Sequence, residues 1–122
     1  MHVFGELEVV IMDYLWARDE PATVRGILEA LRPTRQPAYT TVLTVVDNLF
    51  KKGWLRREPA GRAFRYEPTV SREEYAARQM RDALNDAGDP AEAFVRFVGQ
   101  MSDTEAQALR RALEAYERSE PR

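Results

Sequence analysis

The segment 37–50, PAYTTVLTVVDNLF, constrains the possible fold more than any other part of this 122-residue chain. Six of the seven residues from Thr40 to Val46 are β-branched, which favours a strand because branching at Cβ restricts χ1. Neither set of alternate positions stays apolar, however, as one face of a half-buried strand requires. The apolar residues recur at helical spacing instead: Val42, Val45, Val46 and Leu49, with Leu43 and Phe50 widening the same stripe. We therefore predict a helix over 38–52, terminated by Gly53.

Two further helices are predicted upstream of this segment. Residues 5–17 carry one apolar stripe at helical spacing, made of Leu7, Val10, Ile11, Tyr14 and Leu15. A turn at 18–21 separates them from a second helix, for which Thr23 is the expected N-cap. The stripe of the second helix is Val24, Ile27, Leu28 and Leu31. Alternatively, residues 22–24 contribute a short strand at its start.

A β-hairpin is predicted after the 38–52 helix. Residues 54–58 and 63–68 alternate in polarity and contain aromatic residues, and residues 59–62 supply the turn, with Arg62 at or near the tip. The expected core includes Ile11, Leu15, Trp16, Trp54 and Phe64.

Three helix starts follow residue 69. In each, Ser or Asp precedes Glu by three positions, which is the pattern of a capping box. The pairs are Ser71 with Glu74, Asp89 with Glu92, and Ser102 with Glu105. The predicted fold is therefore mostly α: a winged helix-turn-helix in residues 1–69, followed by a three-helix C-terminal region in residues 70–122.

The composition argues against an enzyme and against a metal site. There is no cysteine, and the single histidine, His2, lies beside the start of the chain. Thiol catalysis, thiolate metal sites and a buried histidine constellation are therefore disfavoured, and we expect no enzymatic activity and no cofactor. No apolar run approaches the ~18–20 residues that span a bilayer, and no signal-peptide pattern is present. The expected location is the cytoplasm, without membrane insertion.

The local charge favours a nucleic-acid partner. The chain has a formal net charge of −2, but residues 35–65 carry seven basic and two acidic side chains, a local net charge of +5. Attraction between charges acts over about 8 Å at physiological ionic strength, so a local basic surface is enough to attract phosphates. Arg56 and Arg57 point to opposite faces of their strand, so at most one of them is expected to face DNA.

Four segments resemble the BlaI/MecI/CopY family of bacterial repressors. They are LEVVIMDYLW at 7–16, TVRGILEAL at 23–31, AYTTVLTVVDNLFKKGWLRRE at 38–58 and FRYEP at 64–68. The resemblance is close over residues 5–69 and loose over the C-terminal helices. It implies a homodimeric transcriptional repressor that binds a palindromic operator and controls β-lactam-resistance or related stress genes. Repression would be relieved by weakening or cleavage of the dimerisation region.

The chain departs from the resembled family in three places. The resemblance implies either a membrane sensor peptidase or other protease as a release partner, or copper sensing by a Cys-x-Cys tail. Without cysteine, the copper chemistry cannot operate. The Asn–Phe bond cleaved in staphylococcal relatives is not reproduced, and Ala93–Phe94 lies near the equivalent place. Asn48 stands where a basic residue is expected in many relatives.

The candidate DNA-binding residues lie on the predicted third helix and the hairpin: Tyr39, Thr40, Thr41, Thr44, Asn48, Lys51, Lys52, Arg62 and Arg65. Polar groups near a helix N-terminus can bind phosphates or base edges. Simpler interpretations remain open, namely solvation of the threonines and Asn48, core packing of Tyr39, and charge stabilisation of the helix end by the lysines. Arg65 can instead pair across the strands with Glu58.

The C-terminal helices carry more apolar surface than short helices bury by themselves. The candidate dimerisation residues are Tyr75, Met80, Leu84, Phe94, Phe97, Val98, Met101, Leu109, Leu113 and Tyr116. This apolar surface can be buried by packing on the winged helix or by pairing with a second copy of the chain. Pairing is favoured, since small domains gain stability by oligomerising. The expected partners are thus double-stranded operator DNA and a second copy. The alternative is a winged-helix protein–protein interaction module without DNA binding.

Overall fold

Six helices and one two-stranded antiparallel sheet make up residues 4–119, which are the residues that the computed structural model describes. The elements are α1 (Glu6–Trp16), α2 (Val24–Leu31), α3 (Tyr39–Lys51), β1 (Leu55–Ala60), β2 (Ala63–Pro68), α4 (Arg72–Asp86), α5 (Pro90–Val98) and α6 (Asp103–Ser119). This order confirms the mostly α, winged helix-turn-helix prediction. His2 lies outside the described residues.

The chain divides into two compact units, and the division falls between Met80 and Arg81, inside α4. The first unit contains α1 to α3, the hairpin and the first part of α4. The second contains the rest of α4 with α5 and α6. The first unit extends past residue 69 because Tyr75 of α4 packs against the core of the winged helix.

The helical state of α3 is explained by what its apolar stripe buries. Val42, Val46 and Leu49 are fully buried, and Val45 is half-buried. Full burial of such a side chain is worth about 1.5–3 kcal/mol, whereas a helix-propensity penalty is at most about 0.7 kcal/mol per residue. Burial therefore outweighs the strand preference of the β-branched run. The facing core side chains on the first two helices include Ile11, Met12, Leu15, Ile27, Leu28 and Leu31.

The chain reverses after α3 through a Schellman motif. The Trp54 amide donates to the Leu49 carbonyl at 3.0 Å, and the Gly53 amide donates to the Phe50 carbonyl at 3.0 Å. Gly53 has a φ of 89°, where a side chain would be strained. This reversal buries Trp54 and starts β1 at Leu55.

The hairpin is longer and its turn tighter than predicted. Ala60 pairs with Ala63, so the turn consists of Gly61, with a φ of 64°, and Arg62. Two-residue turns with positive φ match the twist of paired strands.

Thr23 caps the second helix as predicted, whereas the alternative strand over residues 22–24 is reduced to a single bridge at Ala22. Ala22 and Tyr66 exchange backbone hydrogen bonds of 3.0 and 2.8 Å, which forms an isolated bridge beside β2. The Thr23 hydroxyl then caps α2 by accepting from the Gly26 amide at 3.1 Å.

Three assignments of apolar side chains differ from the prediction. Phe64 was expected in the core but is 39% exposed, since its ring lies on the hairpin against the Arg57 guanidinium. Leu43 is also 39% exposed, because it lies about 100° around the helix from Val42. Met12, absent from the predicted stripe of α1, is fully buried.

The three predicted caps after residue 69 are confirmed. The Ser71 hydroxyl accepts from the Glu74 amide at 3.0 Å. The Asp89 carboxylate accepts from the two amides at residues 91 and 92. Ser102 and Glu105 satisfy each other's amides at 2.9 and 3.1 Å, a complete capping box.

We expect Leu49→Ala to lower the free energy of unfolding by about 2–5 kcal/mol, because it removes a fully buried side chain from the α3 stripe. The control Thr44→Ala changes an exposed residue of the same helix and should shift it by no more than about 0.5 kcal/mol. Urea unfolding followed by circular dichroism measures both. Equal losses of unfolding free energy in the two variants would contradict the assignment of Leu49 to the buried face of α3 and of Thr44 to its exposed face.

Candidate nucleic-acid interface

The outward face of α3 carries the predicted polar residues. Thr40, Thr41, Thr44 and Asn48 are all exposed, because the buried stripe of the same helix fixes their direction away from the core. Hydroxyl and amide groups on an exposed helix face can donate to and accept from base edges or phosphates. The four side chains therefore form one polar surface on the outside of the winged helix.

Tyr39 opens α3 and is 41% exposed, so its ring is not part of the core. The Arg25 guanidinium of α2 lies 5.3 Å from the centre of that ring. Arg25 is itself exposed and was not among the predicted site residues. Its position outside the apolar stripe of α2 is the sequence signal that could have identified it. The pair adds a cation and a phenol beside the N-terminus of α3.

The lysines at the end of α3 are already engaged with carboxylates. Lys51 Nζ lies 2.9 Å from Asp47 Oδ2, one turn back on the same helix. Lys52 Nζ lies 3.3 Å from Glu8 Oε2 of α1. The Lys51–Asp47 pair is exposed, and pairs of this kind contribute about 0–1 kcal/mol, so a phosphate can replace the carboxylate of Asp47 at low cost. The Lys52 side chain is 57% exposed, but its partner Glu8 is only 16% exposed, so Lys51 is the more readily available of the two lysines.

A third basic residue of the 35–65 segment is also paired with α1. Arg35 forms an ion pair with Glu6. Glu6 and Glu8 lie outside the +5 segment in sequence, but folding brings them to its side chains. The folded surface is therefore less basic than the local count of charges indicates.

Arg62 stands at the tip of the hairpin and is exposed. Within residues 4–119 it takes part in none of the observed ion pairs or ring contacts. A cation held on a tight turn without an internal partner is suited to bind an external phosphate.

Arg65 is exposed on β2 and lies opposite Glu58 in the strand register. It lines a groove of about 520 Å³ beside the start of α2. The other lining residues are Tyr14, Arg18, Glu20, Pro21, Ala22, Thr23, Gly26 and Glu58. A phosphate contact and a cross-strand interaction both remain compatible with this position.

The two arginines of β1 face opposite sides of the hairpin, as predicted. Arg56 Nε lies 2.8 Å from Glu67 Oε1 across the strands. The Arg57 guanidinium carbon lies 4.0 Å from the centre of the Phe50 ring and 4.1 Å from that of Phe64. Arg57 therefore joins the hairpin to α3.

The predicted dimerisation residues lie in different surroundings. Tyr75 is half-buried in the first unit, where its ring stacks on Phe4 at 4.3 Å between centres. In the second unit Leu84, Met101 and Leu109 are half-buried. The remaining ones, from both units, are exposed: Met80, Phe94, Phe97, Val98, Leu113 and Tyr116. No residue of α4, α5 or α6, all of which are described, reaches full burial.

The described residues offer no sign of a metal site or of a membrane span. No group of three or more potential metal ligands comes together among residues 4–119. No helix of this part of the chain is long and apolar enough to cross a membrane.

Comparison with known proteins identifies relatives over most of the chain. A family model described as penicillinase repressor matches residues 4–115. The transcriptional regulator BlaI of Mycobacterium tuberculosis is 47% identical over 116 residues, which cover 93% of this chain and 84% of that protein.

Solved structures show the same fold. The DNA-binding domain of the repressor BlaI aligns with a TM-score of 0.53 at 25% identity, over 59% of this chain and 87% of that one. A mutant MepR from a multidrug resistant S. aureus clinical isolate aligns with a TM-score of 0.51 at 19% identity, over 95% of this chain and 78% of that one. The latter likeness concerns the fold alone.

We expect Glu8→Gln to tighten binding to a non-operator duplex by about twofold to fivefold, because it frees Lys52 for a phosphate and removes a nearby negative charge. Glutamine keeps an acceptor for the Gly5 amide, so the start of α1 is preserved. Fluorescence anisotropy with a labelled duplex measures the change. The control Glu74→Gln removes the same charge from a carboxylate paired with Arg78, and an equal shift there would contradict the local explanation.

Proposed function

We propose that this chain binds a palindromic operator as a homodimer. The chain belongs to the penicillinase repressor family and is a DNA-binding transcriptional repressor. The observation that carries the DNA contact is the polar outward face of α3, together with Arg62, which is exposed at the hairpin turn and has no ion pair within residues 4–119. A helix with such a face fits the major groove of DNA. The β1–β2 hairpin, which is the wing of this fold, then reaches the sugar-phosphate backbone beside that groove.

The residues of the interface divide into two roles in this proposal. Thr40, Thr41, Thr44 and Asn48 face the groove, where hydroxyls contact base edges or phosphates and the amide suits adenine. The basic and phenolic groups around them position the protein on the backbone: Arg25, Tyr39, Lys51, Lys52, Arg62 and Arg65. Contacts to phosphate supply affinity, and contacts to bases supply the choice of operator.

A second copy is proposed to cover the apolar side chains of α5 and α6. Phe94 and Tyr116 are 54% and 62% exposed, and several large apolar side chains exposed on the same two helices support an interaction site there. Tyr75 is left out of the proposed surface because its ring packs inside the first unit. A twofold dimer would present two copies of α3 about 34 Å, or a multiple of it, apart along the DNA, which calls for a palindrome.

Release from the operator is proposed to follow loss of the dimer. Joining two half-site contacts makes the second binding event intramolecular, so separating the copies removes most of the affinity. A membrane sensor peptidase or another protease would achieve this by cutting near Ala93–Phe94, where Phe94 is exposed. The description of the matched family supports β-lactam-resistance or related stress genes as the regulated targets.

We expect Thr44→Ala to weaken operator binding by about fivefold or more, because a lost hydrogen bond costs about 1 kcal/mol. Thr104→Ala, on the exposed surface of α6, is the matched control and should bind normally. Gel shifts with the DNA upstream of the gene measure both. If about six phosphates are contacted, log K should fall with log salt at a slope near −5. Salt-independent binding would contradict the proposed phosphate contacts, and no binding to this DNA would favour the protein–protein interaction module instead.

We expect Phe97→Glu to convert the dimer to a monomer and to lower operator affinity by about 100-fold or more, because it places a charge in the proposed apolar interface. Gln100→Glu adds the same charge to the same segment at an exposed polar position and should leave both properties unchanged. Sedimentation velocity reports the oligomeric state, and gel shifts report affinity. A Phe97→Glu chain that stays dimeric would contradict the proposed surface.

A further inference from the structure

The Arg57 guanidinium occupies the junction between α3 and the hairpin. Its central carbon is 4.0 Å from the ring centre of Phe50, on α3, and 4.1 Å from that of Phe64, on β2. We call this three-residue contact the Arg57 stack. A planar guanidinium over aromatic faces is attracted by their quadrupoles and packs against them at the same time. The stack therefore connects one element of the DNA interface to the other.

The position of Arg57 in the sheet explains why it reaches both rings. It pairs with Tyr66 in the strand register, and side chains directly opposite lie on the same face. The Tyr66 ring is buried and lies 6.5 Å from the Phe50 ring and 6.4 Å from the Phe64 ring. Arg57 thus lies on the same face of the hairpin as the buried Tyr66 ring and covers part of the Phe64 ring, which would otherwise be more exposed.

Arg57 also approaches the one carboxylate of α3. Its Nη1 lies 4.0 Å from Asp47 Oδ1, while Lys51 holds the other oxygen at 2.9 Å. A carboxylate on a helix that faces DNA repels phosphates unless its charge is offset. The two cations together offset the charge of Asp47 beside the DNA-facing surface.

We infer that Arg57 is a positioning residue for the wing: it holds the hairpin against α3 so that Arg62 reaches the backbone while Thr44 faces the groove. The inference rests on the proposed function for its DNA-binding consequence. Its physical basis is the Arg57 stack, which joins a residue two positions after the turn, Phe64, to the C-terminal half of α3. Leu55 and Tyr66 anchor the base of the hairpin in the core, so the stack matters for the part next to the turn, where a two-stranded hairpin has little stability of its own.

A direct phosphate contact by Arg57 is the competing role. The Arg57 side chain is 30% exposed, and its guanidinium already contacts two rings and a carboxylate. Arg62, in contrast, takes part in none of the ion pairs or ring contacts of the described residues. The geometry therefore favours positioning by Arg57 and contact by Arg62.

A double-mutant cycle on the 122-residue chain separates the two roles. Arg57→Lys keeps the charge but loses the planar surface, so it disrupts the stack and spares a simple charge contact. Arg62→Ala should weaken operator binding about fivefold in the wild-type chain and at most about twofold in the Arg57→Lys chain. The loss of operator affinity caused by Thr44→Ala should be the same in the wild-type and the Arg57→Lys chain. This equality distinguishes a misplaced wing from a damaged fold, because a damaged fold would also disturb α3. Additive effects of Arg57→Lys and Arg62→Ala would overturn the inference.

Arg56→Lys is the matched control for this cycle. Arg56 is the neighbouring residue of the same strand, faces the other side and pairs with Glu67, so lysine retains its ion pair. The full fivefold cost of Arg62→Ala should persist in its background. Phe64→Leu is a second variant that removes the ring from the stack while keeping an apolar side chain, and it should reproduce the effect of Arg57→Lys. A Phe64→Leu chain in which Arg62→Ala keeps its full cost would overturn the inference.

Hydrogen exchange of the DNA-free dimer tests the stack independently of the proposed function. Amides of the part of the hairpin next to the turn, residues 58–65, should exchange about tenfold faster in Arg57→Lys and in Phe64→Leu than in wild type or Arg56→Lys, while amides of α1 stay unchanged. Unchanged exchange in both stack variants would overturn the inference. If wild type fails to bind duplex DNA but the exchange differs as expected, the proposed function fails and the positioning of the wing by Arg57 stands.

Discussion

The burial of one stripe of α3 is the constraint on which the rest of the first unit depends. Val42, Val46 and Leu49 are fully buried, and this orientation leaves the threonines no direction except outward. The same stripe brings the last turn of α3 to Gly53, where the Schellman motif reverses the chain into the hairpin. The burial of this one stripe thus determines both which face of α3 is polar and where the hairpin begins.

The charges of the interface show how a near-neutral chain can bind a polyanion. Part of the basic segment is paired internally with carboxylates of α1, and Lys51 with its own helix. The exposed pair of Lys51 with Asp47 is weak, so it does not block exchange for a phosphate, whereas Glu8 is mostly buried beside Lys52. Net charge then reports on solubility and long-range steering, and a net charge near zero is compatible with a locally basic surface.

Periodicity and turn chemistry were enough to predict most of the fold. They located α1 to α3, the hairpin and three capped C-terminal helices, because each signal is local and the core faces are regular. They failed where a side chain depends on a non-local partner. Phe64 was placed in the core by its hydrophobicity, but its ring lies against Arg57 at the surface. Tyr75 was grouped with the dimerisation residues by its helix, and that assignment stays a prediction; its stack on Phe4, an aromatic residue far away in sequence, was not foreseen.

The candidate site was predicted in the same uneven way. The sequence by itself determined which helix is polar outside and apolar inside, where the turns fall, and which side chains could contact DNA. Only the tertiary structure decided that Glu6 and Glu8 meet the basic segment, that Arg25 joins Tyr39, and that Arg57 ties the hairpin to α3. The physical reason is that helical and strand periods are encoded within a few residues. Contacts between charges and rings on different elements depend instead on how packing brings those elements together.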